Sequence, residues 1–116
     1  MPDIRRTPKP RVLFEENREA FNKSVAGGQV PDFSNQNLSD LDLTGFNLKN
    51  ANLSGAYLRG ANLAGQDLSN ANLDRASLKH ANISGCLFPA ALPADEIRLS
   101  VDMGTRMRQG RGKGEA

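Results

Sequence analysis

The chain has few of the residues on which catalysis and metal binding usually depend. Its 116 residues include one cysteine, one histidine and one tyrosine, and no tryptophan. The single thiol, Cys86, excludes an internal disulfide, and the single imidazole, His80, excludes a metal site built on several histidines. We therefore expect no catalytic residue, no metal ligand and no cofactor, and we predict that the protein is not an enzyme.

The sequence also lacks a long apolar run. Basic residues stand near the N-terminus, but no apolar stretch follows them, which argues against a secretory signal. No segment approaches the roughly 20 apolar residues that a transmembrane helix needs. Together with the low cysteine content, these absences predict a cytoplasmic protein without a membrane span.

Charge of either sign is sparse in the middle of the chain. Residues 31–90 carry four basic and five acidic side chains, whereas residues 1–30 carry six and four, and residues 91–116 carry five and four. The formal charge of +2 therefore comes from the two ends. A nearly neutral middle argues against nucleic acid as the partner of that segment.

The middle of the chain has a period of five. A leucine or a substitute for it stands at every fifth position from Phe33 to Phe88. Alanine often precedes it by two positions, with asparagine or aspartate between them, as in Ala51-Asn52-Leu53. Neither a helix of 3.6 residues per turn nor a strand that alternates every two residues has this spacing. A unit of five residues is too short to own a core, so it must stack on copies of itself.

This pattern strongly resembles the pentapeptide-repeat family, whose unit is often written A-(D/N)-L-x-x. The quintets that begin at Ala51, Ala61 and Ala71 fit the unit directly. The resemblance implies an all-β solenoid, namely a right-handed quadrilateral β-helix of about three coils with four quintets in each coil. The inward leucines would then stack with a period of twenty residues.

We divide the chain into three segments. Residues 1–30 are expected to form an N-terminal extension and capping helix, residues 31–90 the β-helix, and residues 91–116 a C-terminal capping helix and a basic flexible tail. The first helix is predicted from Arg11 to Ala26, and the tail is predicted to be disordered from Thr105 onward. The apolar residues expected to cover the solenoid ends are Val12, Phe14, Phe21 and Val25 in the first helix, and Ile97, Leu99, Val101 and Met103 in the second.

Two inward positions depart from alanine in ways that bear on function. Gln66 is polar, and we expect its amide to hydrogen-bond the backbone, because an unpaired buried amide costs a few kcal/mol. Cys86 is expected to act as a small apolar side chain and not as a nucleophile.

Stacking with a period of twenty sorts the outward residues into four faces, of which two are candidate interaction surfaces. One combines an aromatic ring with hydrogen-bond donors, and the other is small and uncharged enough to approach another surface closely. The alternative is that the charges are a solvated face and the small residues only suit tight corners. The candidates are Tyr57, Arg59, Lys79 and His80 on the polar face, Ala64, Gly65 and Ser84 on the small-residue face, and Arg106, Arg108, Arg111 and Lys113 as tail contacts for anionic partners.

These features predict a non-enzymatic structural or protein-protein interaction module, an accessory or assembly subunit of a larger complex. We expect a protein partner whose identity the sequence does not give, and a homo-oligomer remains open. The alternative that the resemblance implies is a DNA-mimicking gyrase-protection protein of the quinolone-resistance type. Such mimicry needs a long acidic rod, whereas residues 31–90 carry a net charge of only −1.

Overall fold

The structure, a computed structural model, describes residues 8–110. Two short 3-10 helices at Arg11–Leu13 and Glu15–Asn17 come first, followed by the α-helix α1 at Arg18–Ala26; the α-helix α2 lies at Ala94–Met103. Between α1 and α2 the described chain has no extended strand, and its β-structure consists of isolated parallel bridges.

These bridges join residues that lie twenty positions apart. They are Asp32–Asn52, Asn37–Tyr57, Asp42–Asn62, Asn52–Asn72, Tyr57–Ser77, Asn62–Asn82 and Asp67–Leu87. The backbone follows the same register, since Phe33 N donates to Asn52 O at 2.8 Å and Asn52 N donates to Pro31 O at 2.8 Å. The chain thus returns over itself every twenty residues. We call the three returns coil 1 (31–50), coil 2 (51–70) and coil 3 (71–90).

Each quintet turns a corner immediately after its leucine. The leucine carbonyl accepts a hydrogen bond from the amide three residues later, as Leu53 O does from Ala56 N at 3.0 Å. In most of these turns the third residue has a positive φ, 69° at Gly55, which favours glycine, although Arg75 and His80 adopt it as well. A Cβ atom on Gly55 would also lie 2.1 Å from Oδ1 of Asn35 in coil 1. Glycine therefore serves both the turn and the close stacking of the coils.

The core is a column of leucines inside the coils. Leu38, Leu58 and Leu78 lie in one vertical row and are each 0% exposed. Burying one such side chain contributes about 1.5–3 kcal/mol, so the column is the main source of stability. At the end of the stack Ile83 and Phe88 are only partly buried, since no fourth coil follows.

The side-chain amide of Gln66 points inward and hydrogen-bonds the backbone, as the sequence predicted. Its Nε2 donates to Leu43 O at 2.6 Å and to Phe46 O at 2.8 Å, and the residue is 7% exposed. Phe46, directly above it, is much larger than the usual alanine, and among the described residues no bridge joins Asn47 to Asp67. The Gln66 amide therefore ties coil 1 to coil 2 where the backbone ladder is interrupted.

The N-terminal cap differs from the predicted helix. The α-helix begins at Arg18 and not at Arg11, because Phe14 has an extended backbone with φ −79° and ψ 144°. The predicted apolar stripe is wrong at Val12, which is 50% exposed, while Leu13 is buried. Phe21 does cover coil 1, with its ring centroid 6.0 Å from that of Phe33 and 5.5 Å from that of Phe46.

Asn22 of α1 completes the upper edge of coil 1. Its Nδ2 donates to Gly45 O at 2.7 Å, and its Oδ1 accepts from Asn47 N at 2.7 Å. In coil 3 the amide of Leu87, which holds the same place as Asn47, donates to the carbonyl of Gln66 in the coil above at 2.9 Å. One side chain thus supplies what a preceding coil would otherwise supply.

The helix α2 covers part of the lower end of the stack. It begins after Pro93 and ends at Gly104, whose φ of 78° is typical of a left-handed helix terminus. Ile97 and Val101 pack against the core, as expected. The prediction is wrong for Leu99 and Met103, which are 47% and 67% exposed, because they lie on the opposite side of the helix.

Residues 105–110 form an ordered segment that we call the strap, and the prediction of a disordered tail is wrong for them. Met107 is 0% exposed; its N donates to Ala76 O at 2.9 Å, and its O accepts from Arg75 N at 2.5 Å. Gln109 Oε1 accepts from Leu73 N at 2.9 Å. The strap runs antiparallel along the lower edge of coil 3 and pairs backbone groups that a further coil would have paired. Residues 111–116 lie outside the described residues.

Candidate interaction surfaces

The polar face predicted from the sequence is contacted by two later parts of the same chain, the strap and α2. The guanidinium of Arg106 lies 4.8 Å above the ring centroid of Tyr57 and donates to its hydroxyl. Lys79 Nζ donates to Asp102 O at 2.9 Å, and His80 N donates to Val101 O at 3.0 Å. Of the four predicted residues, Tyr57 and Lys79 contact the strap and α2 through their side chains, whereas His80 contacts α2 through its backbone and is exposed, as is Arg59.

The small-residue face lies elsewhere and is open among the described residues. Gly65 and Ser84 are exposed and Ala64 is half-buried. A Cβ atom built on Gly65 would have no other atom within 4 Å. The backbone beneath the face is fixed, because Gly65 N donates to Ser84 O at 2.8 Å. The structure therefore brings the three predicted residues together on a fixed backbone, next to a shallow depression that Ala64 and Gly65 help to line.

The asparagines and aspartates of the repeat hold the turns, a role that the sequence analysis missed. The side-chain oxygen of Asn62 accepts from Ala64 N at 3.1 Å, and that of Asp42 accepts from Thr44 N at 3.1 Å. Such bonds to the amide two residues later are typical of Asx turns. The available signal was the fixed place of Asn or Asp directly before the leucine at which each turn begins. The same arrangement occurs at Asp32, Asn37, Asn47, Asn52, Asp67, Asn72 and Asn82.

Hydrogen bonding within these turns also acts on the carboxylates. The side-chain hydroxyl and the backbone amide of Thr44 hold the pKa of Asp42 below its ordinary value. Ser69 acts in the same way on the pKa of Asp67, and the backbone amide of Ser34 lowers the pKa of Asp32. These aspartates are ionised acceptors fixed in turns, so proton transfer is not the chemistry that their setting favours.

Comparison with known families identifies the family to which the repeat belongs. The family model described as pentapeptide repeats, in eight copies, matches residues 32–64 and 56–88. Residues 32–88 therefore belong to the pentapeptide-repeat family. The resemblance found in the sequence is confirmed, and pentapeptide repeats in general imply a right-handed β-helix and a structural or protein-interaction role. No curated protein and no solved structure matches the chain.

Cys86 lies in the last pentapeptide repeats and is half-buried. Its Sγ donates to Leu63 O at 3.0 Å. Burial raises the pKa of the thiol, an effect that a backbone hydrogen bond from Gln66 partly opposes. A thiol that stays protonated is a poor nucleophile, and so the setting of Cys86 agrees with the small apolar role expected for it.

Two of the predicted tail contacts lie in the strap, which packs on the pentapeptide repeats. Arg106 covers Tyr57, and Arg108 pairs with Glu96 of α2, with Nη2 3.3 Å from Oε2. The hydrogen bonds of this pair lower the pKa of Glu96 and raise the pKa of Arg108. Both arginines therefore have partners within the chain. Arg111 and Lys113 lie outside the described residues.

Each end of the pentapeptide-repeat stack carries an apolar groove. The upper groove, about 490 Å³, lies between α1 and coil 1 and is lined by Phe21, Val25, Val30 and Phe33, among others. The lower groove, about 330 Å³, lies between α2 and coil 3. Over residues 8–110, no three His, Cys, Asp or Glu side chains are grouped closely enough to hold a metal ion, and no helix is long and apolar enough to cross a membrane.

Proposed function

We propose that the protein is a non-enzymatic structural or protein-protein interaction module that presents a rigid surface to other proteins. In this proposal, the pentapeptide repeats form a right-handed, four-sided β-helix of three coils, and the chain is an accessory or assembly subunit of a larger complex in the cytoplasm.

The observation that carries the proposal is the filled interior. The leucine column occupies the space inside the coils, with Leu43, Leu63 and Leu73 each 0% exposed. Enzymes usually bind substrates in a concave pocket with convergent polar groups. Here the two grooves at the ends are lined mostly by apolar side chains. The sides carry two polar depressions, of about 390 Å³ and 260 Å³, but their carboxylates are engaged within the chain, since Asp74 accepts from Gln109 N and Asp67 accepts from Ser69 N. What the molecule offers is therefore a surface of fixed shape.

Among the sides of the stack, the small-residue face is our candidate for contact with a partner. On the polar face the side chains of Tyr57 and Lys79 are already engaged by the strap and α2, whereas Gly65 and Ser84 lie exposed. A partner could approach this backbone closely, because no long side chain projects from the corner at Ala64 and Gly65.

The test is co-purification of the affinity-tagged protein from its native source, followed by identification of what comes with it. Two substitutions localise the contact. Ala64→Arg places a long charged side chain on the small-residue face, and Ser54→Arg places the same side chain at the same repeat position on another side. Ser54→Arg removes the bond from Ser54 Oγ to Asn52 Oδ1, but the bond from the residue 54 amide to Asn52 Oδ1 remains, and the turn at Ala64 is held by that backbone bond alone, so the two variants keep equivalent turns.

We expect the wild-type protein and Ser54→Arg to retain a protein partner and Ala64→Arg to lose it. If Ala64→Arg retained the partner, the contact would lie on another surface of the protein, and the proposed interaction role would still stand. If the wild-type protein were isolated only as a non-interacting monomer, the interaction role itself would be contradicted.

A further inference from the structure

The lower edge of coil 3 is open on one side. In coil 2, Leu63 N donates to Asn82 O at 2.8 Å, and Gly65 N donates to Ser84 O at 2.8 Å. One coil below, the equivalent amides of Ile83 and Gly85 have no hydrogen-bond partner within residues 8–110, nor has the carbonyl of Ala81. We call the backbone of residues 81–85 the open rim. It is a sheet edge with donors and an acceptor in a fixed row.

An apolar groove lies directly beside the open rim. Its lining includes Ile83 and Phe88 of coil 3 and Ile97 and Val101 of α2. Ile83 and Phe88 hold the inward positions that Leu63 and Leu68 hold in coil 2, but they are only partly buried while those leucines are 0% exposed. Unpaired backbone and exposed core side chains thus occur at the same place.

The strap shows how the adjacent part of the same edge is closed. There an extended segment pairs its backbone with Arg75 and Ala76 and inserts one apolar side chain, Met107, under the leucine column. The open rim continues this edge directly along the chain, beyond the point where Leu78 N donates to Ser100 Oγ at 2.8 Å. The strap therefore shows that this edge binds an extended segment that carries one buried apolar side chain.

Residues 111–116 do not suit the open rim by their composition. Gly110, the last described residue of the strap, donates from its N to Ala91 O at 2.9 Å and makes no backbone hydrogen bond to residues 81–85, all of which are described. The residues that follow are Arg111-Gly112-Lys113-Gly114-Glu115-Ala116, of which only the last is apolar, and its side chain is a single methyl group. A segment that fills the groove needs a larger apolar side chain, as Met107 has.

We propose that the open rim binds an extended segment of a partner protein by strand addition. The segment pairs its backbone with Ala81, Ile83 and Gly85 and places an apolar side chain of the size of methionine or leucine in the groove. Because alternate side chains of a strand point the same way, the segment has apolar residues at every second position. This inference rests on the proposed interaction role and names the class of partner.

The test uses the full-length protein and a phage-displayed library of random ten-residue peptides. Ala94 is exposed, begins α2 and lines the groove, so Ala94→Trp fills the groove without removing a buried group. Ala90→Trp is the matched control, since Ala90 is also exposed but does not line the groove. Amide hydrogen exchange at Ile83 and Gly85 reports pairing of the rim directly.

We expect enriched peptides with apolar residues at alternate positions. Ala94→Trp should weaken their binding about tenfold or more, as expected for loss of one buried anchor, and Ala90→Trp should not. Bound peptide should slow exchange at Ile83 and Gly85. The proposal is overturned if no peptide is enriched, if Ala94→Trp leaves binding unchanged, or if the groove proves to hold a second copy of this chain, seen as a dimer that Ala94→Trp abolishes.

The co-purification experiment separates this inference from the proposed function. A native partner that Ala94→Trp retains would overturn strand addition at the rim and leave the interaction role standing. Failure to find any partner of the wild-type protein would count against the role itself.

Discussion

At the scale of single residues, the polar positions of the repeat do structural work inside the turns. Asn52 Oδ1 accepts from Ser54 N at 3.1 Å, and Asp67 Oδ1 accepts from Ser69 N at 3.0 Å. An asparagine and an aspartate are interchangeable here because each offers an oxygen to the same amide. The residues most free to vary for a partner are therefore the outward ones at the fourth position of each quintet, such as Ala64, because the fifth position often has a positive φ, 75° at Gly65.

Gln66 shows how one residue can replace a missing stretch of backbone pairing. Its amide donates to the carbonyls of Leu43 and Phe46, where no bridge joins Asn47 to Asp67 among the described residues. The carbonyl of Phe46 has no other donor within residues 8–110. Removing the amide leaves that buried acceptor unpaired.

We predict that Gln66→Leu, which keeps the size of the side chain and removes its donors, lowers the free energy of unfolding. The expected loss is about 1–3 kcal/mol, the cost of leaving buried polar groups unsatisfied. Urea denaturation measures it. Gln66→Met, with a flexible chain of similar length and no donor, should lose a similar amount. A change below about 0.5 kcal/mol for both variants would mean that water replaces the amide, and the bridging role would be wrong.

At the scale of elements, the two caps were predictable to different degrees. The end of α1 and the start of α2 follow from Gly27-Gly28 and from Pro93 with its adjacent acids, which are local signals. The start of α1 was not predictable, because packing on coil 1 selects Leu13 and leaves Phe14 extended. The strap was missed for a related reason. Its sequence is polar and basic, and only pairing with coil 3 orders it.

The strap is anchored by one apolar side chain. Met107 is 0% exposed, whereas Met103, four residues earlier on α2, is 67% exposed. The same residue type therefore occurs in a buried and an exposed setting within one short stretch. This pair separates the effect of burial from the chemistry of methionine.

We predict that Met107→Ala destabilises the protein by about 2–5 kcal/mol, because it removes a buried side chain and leaves a cavity. Met103→Ala should change the free energy of unfolding by less than about 0.5 kcal/mol. Thermal or urea denaturation of both variants measures the difference, and amide exchange at Arg75 should quicken only in Met107→Ala. Equal effects from the two substitutions would show that the strap does not stabilise coil 3.

At the scale of the whole molecule, the period of twenty residues governs everything between α1 and α2. The sequence predicted that Phe33, Leu53 and Leu73 would share one vertical row, and the bridges Asp32–Asn52 and Asn52–Asn72 place them so. This much was predictable because each quintet repeats the same local choice. The positions at which the stack meets other segments, such as Tyr57 and His80, were not, since nothing in the repeat says what will cover it.

We predict that deleting one full coil, residues 52–71, gives a protein that still unfolds cooperatively. The deletion joins Ala51 to Asn72, which has the stacking position of Asn52, so coil 1 can meet coil 3 in register. The midpoint should fall, since part of the leucine column is removed. Deleting residues 52–69 instead shifts the register by two and should abolish the cooperative transition in circular dichroism. Similar melting curves for both deletions would contradict a stack ordered by the period of twenty.

The strap follows coil 3 in the chain, and this order matters during synthesis. The coils can stack as they leave the ribosome, because each needs only the coil before it. The residues that cover Leu73 and Leu78 from below are made later: Ser100, Met107 and Gln109. For that interval a nascent molecule displays a bare β-edge above exposed leucines, the kind of surface that chaperones hold and that neighbouring nascent chains can pair with. The time that translation takes to pass residues 90–110 therefore sets how long the lower edge of coil 3 is uncovered in the nascent chain and open to misassembly.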